Sequence, residues 1–113
     1  MIVVTHFSVP ESEGESFAGM ATDALAAFGA CAGYERGWLG RAAEDPTAWV
    51  MGTEWQGVGA YRRALSTRDV RMAGTQLLSK AVDMPSAFEL LYADSDEYSM
   101  SATSGRAPED QAR

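Results

Sequence analysis

The chain has 113 residues, 46% of them hydrophobic, and a formal net charge of −7. That length makes one domain, and the apolar content is that of a globular chain rather than a disordered one. The acidic balance argues against non-specific nucleic-acid binding, and no apolar run reaches the ~20 residues of a membrane span. The single cysteine, Cys31, excludes an internal disulfide and fits a cytoplasmic location.

Met1 leads straight into IVVTHFSV, with no basic start or small-residue cleavage site, so no secretory leader is expected. Residues 2–9 read as a strand, rich in β-branched side chains and stopped by Pro10. Over 11–30, Phe17, Met20, Ala21, Ala24, Leu25 and Phe28 recur at helical spacing and form one apolar stripe. Glu11, Glu13 and Glu15 stand where the helix dipole favours acids, and Gly29 and Gly33 bracket the exit.

Strands follow at 34–43 and 47–55, joined by Glu44-Asp45-Pro46, whose composition suits a tight antiparallel reversal. In the second of them Trp49, Met51, Thr53 and Trp55 alternate onto one face. The chain then turns through Gln56-Gly57-Val58-Gly59 into helical segments at 57–66 and 68–82, with Thr67 placed to cap the latter. Pro85 ends the helical run, and 86–93 reads as a fourth strand. From 94 to 113 Ser, Asp, Gly and Pro dominate, an acidic tail with little to bury. The order β-α-β-β-α-β is the split βαβ pattern of ferredoxin-like α+β folds, assigned to residues 1–93. The first and fourth strands are apolar on both faces, whereas helices cover only one face of such a sheet. A second copy of the same sheet is the simplest cover for the other, so a homodimer is expected.

Little in this sequence is conventional catalytic equipment. One His and one Cys make no usual metal site, and no carboxylate cluster is evident, so no metal is expected. Gly57-Val58-Gly59 follows a strand and opens a helix, but Arg62 holds the place of a third glycine and no parallel βαβ unit surrounds it. Arg62, Arg63, Arg68, Arg71 and Lys80 stand against one acid, Asp69. That run is either a solvated helix face or an attractor for an anionic ligand.

The strand order, the Gly-Tyr that opens the second strand, the Glu-Asp-Pro turn and Glu54-Trp55 with Tyr61 following resemble the antibiotic biosynthesis monooxygenase family. The resemblance implies a dimeric α+β barrel and oxygenation of a hydrophobic aromatic small molecule without cofactor. In the branch that oxidises aromatic polyketides, a Trp at the end of strand 3 and a Tyr six residues later line the pocket, and Trp55 and Tyr61 match that spacing. Where that branch has an Asn, this chain has Met51. Where it has an arginine on the later helix, this chain has Thr75, with Arg71 one turn earlier. The haem-degrading branch carries its iron-ligating His near the same helix position, and its absence here argues against haem.

The chemistry so implied is carried by the substrate. A phenol or anthrone loses a proton and its carbanion passes an electron to dioxygen, while the protein supplies apolar walls, a proton acceptor and hydrogen bonds to the anion. The candidate walls and substrate contacts are Trp55, Met51, Phe28, Phe88 and Arg71. The candidate catalytic groups are Tyr61, to orient a substrate oxygen, and His6, the one imidazole of the chain. Each has a plainer reading: Trp55 and Tyr61 as packing aromatics, His6 as a core or interface histidine, Trp38 and Trp49 as packing or dimer contacts, and Cys31 as an inert hydrophobe. Two other functions fit the same residues, a non-catalytic binder of a hydrophobic metabolite and a cyclase or isomerase.

Overall fold

The structure, a computed structural model, describes residues 1–94. The acidic tail expected over 94–113 lies outside the described residues from 95 onward. The elements run β1 (Ile2–Ser8), a 3₁₀ turn (Glu11–Glu13), α1 (Gly14–Gly29), β2 (Tyr34–Arg41), β3 (Ala48–Trp55), α2 (Val58–Leu65), α3 (Arg68–Leu78) and β4 (Ala87–Phe88). The strands form one antiparallel sheet in the order β2-β3-β1-β4, the ferredoxin-like α+β arrangement expected from the sequence. Among the described residues no helix is long and apolar enough to cross a membrane.

Alternation along the strands sorts the side chains by face. Val3, Thr5 and Phe7 of β1 and Trp49, Met51, Thr53 and Trp55 of β3 point toward the helices, where most of them are buried. The apolar stripe of α1 covers them: Phe17 is fully buried, with its ring 5.0 Å from Phe7 and 5.2 Å from Trp49. A second group, Val3, Trp55, Ala60 and Ala64, packs under α2 at the other end of the sheet. Phe28 touches both groups.

The glycine at 33 is where the exit from α1 demands one. It has φ of 88°, which other residues rarely adopt, and a Cβ there would run into that of Ala60. The turn between β2 and β3 is set by Asp45, whose carboxylate accepts hydrogen bonds from Thr47 N (3.0 Å) and Thr47 Oγ1 (2.7 Å).

Three boundaries differ most from expectation. Helix α1 starts at Gly14 rather than at 11, because Glu11–Glu13 close a separate 3₁₀ turn first. Helix α3 stops at Leu78 rather than 82, because the following segment leaves to pair with β1: Ser8 N donates to Lys80 O and Val82 N to His6 O. Strand β4 spans two residues rather than 86–93. Its antiparallel register sets Ala87 opposite Val3 and Phe88 opposite Ile2, so β1 has almost run out and Leu90, Leu91 and Tyr92 find no strand alongside. Thr67 does stand at the N-cap of α3, just before its first residue. Its hydroxyl, however, donates back to Ala64 O at 2.8 Å and ties α3 to α2 instead of capping the new helix.

Candidate functional site

Between the two packed groups the sheet and helices leave a cavity of about 390 Å³. Thr5, Phe7 and Met51 form its sheet wall, Ala24 and Phe28 come from α1, and Tyr61 and Leu65 come from α2. Helix α3 adds Val70, Arg71, Gly74, Thr75, Leu77 and Leu78. Each member arrives by its local periodicity. Thr5 and Phe7 share a strand face; Tyr61 and Leu65 lie one turn apart on α2, as do Arg71 and Thr75 on α3. Leu65, Arg71, Thr75 and Leu78 are exposed and form the mouth, while Phe7, Ala24, Met51 and Leu77 are buried and form the floor.

Tyr61 is held by aromatic neighbours. Its ring stacks on Phe28 at 6.4 Å and 28°, and lies 5.6 Å from that of Trp55. Burial raises the pKa of its phenol, so the hydroxyl is a proton-bearing donor at neutral pH rather than a phenolate. It makes no hydrogen bond to another described residue. Thr75 Oγ1 is already committed, donating to Arg71 O at 2.8 Å. The guanidinium of Arg71 forms no ion pair among the described residues.

The structure therefore gathers four of the sequence-derived candidates, Met51, Phe28, Tyr61 and Arg71, at one cavity and places three elsewhere. Trp55 is 1% exposed and stands behind Tyr61 and Phe28 as packing rather than lining, with Nε1 donating to Thr53 Oγ1 at 2.8 Å. His6 alternates with Thr5 and Phe7 and so projects from the opposite, open face of the sheet. There it borders a separate hollow with Ser8, Asp45 and Met84. It is not placed to act as a base in the cavity. Phe88 pairs with Ile2 and shares that open face. Trp38 lies there too, flat against Gly52, where any Cβ would collide with its indole. Arg36 stacks over that indole and donates to Glu54 Oε1 at 2.7 Å. Trp49, by contrast, is core.

Sequence reasoning missed Thr5, Leu65, Val70, Leu77 and Leu78 as lining. Helical spacing on α3 carries the signal for the last three, but only once the helix is known to cross over the sheet. Among the described residues, no three His, Cys, Asp or Glu side chains gather into a group able to hold a metal ion.

No protein-family model matches this chain, and no curated protein does. Solved structures do. A candidate antibiotic biosynthesis monooxygenase from Deinococcus radiodurans superimposes with a TM-score of 0.69 at 15% identity, over 84% of this chain and 97% of its own. One from Nitrosomonas europaea gives 0.66 at 16% identity, over 80% and 98%. SnoaB from Streptomyces nogalater, described as a cofactor-independent oxygenase, gives 0.58 at 28% identity, over 72% of this chain and 82% of its own.

Proposed function

From a chain that has the fold of the antibiotic biosynthesis monooxygenase structures, we propose a cofactor-independent monooxygenase that oxidises a hydrophobic aromatic small molecule with dioxygen. The observation that carries this reading is the cavity itself, apolar on its floor and walls, with a single phenol donor presented by Phe28 and Trp55. The 28% identity to SnoaB supports it.

An anthrone-type methylene plus dioxygen gives a carbonyl plus water, and the substrate itself supplies all four electrons and both hydrogens of the water. The protein then binds the ring against Met51 and Phe28, excludes bulk water from the reacting carbon, and holds a substrate oxygen on the Tyr61 hydroxyl. A donor fixed before the reaction is worth more there than one that must reorient. A homodimer joined through the open sheet face, with Trp38 and Phe88 at the contact, belongs to the same reading, as does a cytoplasmic location.

Oxygen uptake by the purified protein against a panel of anthrones and naphthols tests it, with Tyr61→Phe as control. Uptake above the blank that falls in the variant upholds the oxygenase. Absence of uptake with every compound rejects it in favour of a binding protein or a non-oxidative enzyme.

A further inference from the structure

The polar side chains of the cavity have a one-sided chemistry. Four of them line it: Thr5, Tyr61, Arg71 and Thr75. One is a permanent cation and one a neutral phenol, and the Thr75 hydroxyl is spent on a backbone carbonyl. Among the described residues that line it, none is a carboxylate or an imidazole. A lining of this kind hydrogen-bonds and neutralises a negative group, yet offers no side chain to take a proton from a neutral ligand near neutral pH.

The surroundings carry the same sign. Arg62 adjoins Tyr61 on α2, and Arg68 lies one turn before Arg71 on α3. Both are exposed and neither forms an ion pair among the described residues; Asp69 is the only acid between Arg62 and Lys80. Lys80 is committed elsewhere, to Glu13 at 2.6 Å. In a chain of net charge −7, these arginines make the segment that carries Arg71 locally cationic.

We propose that the cavity binds its aromatic ligand as an anion that is already formed in solution, with the negative group on Arg71 and the Tyr61 hydroxyl. This rests on the cavity being the substrate site and names the substrate class: aromatic compounds bearing a carboxylate or an acidic, ionised phenol. Such a ligand needs no protein base to acquire the charge by which it binds. The cation and the phenol donor hold its charge, and the apolar floor takes its rings.

A matched pair of probes tests this by binding alone, followed through tryptophan fluorescence or calorimetry: 2-naphthoate and its neutral isostere 2-naphthamide. The expected result is a preference for naphthoate of about five- to tenfold at low salt, the range of a charge-assisted contact at a partly exposed site. The preference should fall to near parity in Arg71→Gln, persist in Arg71→Lys, and shrink as salt screens the mouth. Equal or tighter binding of naphthamide, a preference that survives in Arg71→Gln, or no binding of either probe would overturn it. Because no turnover is read, a charge preference without oxygen uptake on any substrate would leave this inference standing and remove the oxygenase reading.

Discussion

Trp55 donates its indole N–H to the hydroxyl of Thr53 across 2.8 Å, two residues back on the same buried face of β3, whereas the indole N–H of Trp49 is buried with no hydrogen-bond partner. Two tryptophans on one strand thus differ, among the described residues, in what their nitrogen contributes. Trp55→Phe strands the Thr53 hydroxyl, which is 2% exposed, at an expected cost of about 1–3 kcal/mol beyond the lost packing. Trp49→Phe removes an unpaired polar group, so the lost volume is partly offset. Urea unfolding of the two variants should show Trp55→Phe the less stable; the reverse order would contradict the assigned partner.

Tyr61→Phe keeps the ring stacked on Phe28 and removes only the donor. Oxygen uptake, or affinity for an oxygen-bearing ligand, is expected to fall about tenfold or more while the melting temperature barely moves. His6→Ala should leave turnover within about a factor of two, because His6 is on the far side of the sheet from the cavity. A large loss in His6→Ala with the fold intact would mean that the reaction takes place on the other face.

Burial raises the Tyr61 pKa, and the sign of the consequence follows. The unfolded phenol ionises near 10 and the folded one higher, so folding becomes less favourable as pH rises past the unfolded value. Below that value Tyr61 stays a donor, and its own ionisation should be absent from the pH–rate profile through neutrality. The difference between wild type and Tyr61→Phe in tyrosinate absorbance isolates it from Tyr34, whose pKa burial also raises. A Tyr61 transition below 10 would contradict the desolvated setting.

Two glycines should respond oppositely to alanine. Gly33→Ala must adopt φ near 88° and push against Ala60, at an expected cost of about 2–4 kcal/mol. Gly19→Ala, inside α1 with nothing near the added methyl, should stabilise by about 0.5–1 kcal/mol. Thermal melts of the pair decide, and a destabilised Gly19→Ala would show that its side of α1 is not free.

A charge on the open sheet face tests the proposed dimer. Phe88 is 43% exposed in one copy, so Phe88→Glu should leave the monomer folded. Light scattering after gel filtration is expected to show dimeric wild type and a monomeric variant; a wild type that is monomeric at all concentrations would end that proposal.

The alternation of Trp49, Met51, Thr53 and Trp55 was legible because one buried face leaves a period of two in the sequence. The same logic misread 86–93. Leu90, Leu91 and Tyr92 are apolar enough for a strand, but strand length depends on how much of the partner remains, and that is a property of register, not of composition. His6 failed for a related reason. On a strand apolar on both faces, alternation does not say which face meets the helices until the pairing with Val50 and Met51 is fixed. Tyr61 became a candidate through its spacing from Trp55 and Arg71 as the arginine one turn before Thr75, whereas Leu65 and Val70 line the cavity only through the crossing of α2 and α3 over the sheet.

The position of β1 has a consequence for how the molecule assembles. It is the first strand made and an inner one of the sheet, yet its partners are β3, beyond α1 and β2, and β4, near the end of the described chain. Only β2 and β3 are neighbours joined by a short turn, the one Asp45 closes. On an emerging chain β1 stays unpaired until β3 has been made, and the β2–β3 hairpin, closed by its short turn, can zip first. The floor of the cavity, built on Phe7 of β1 and Met51 of β3, exists only after the long-range pairing of those two strands has closed.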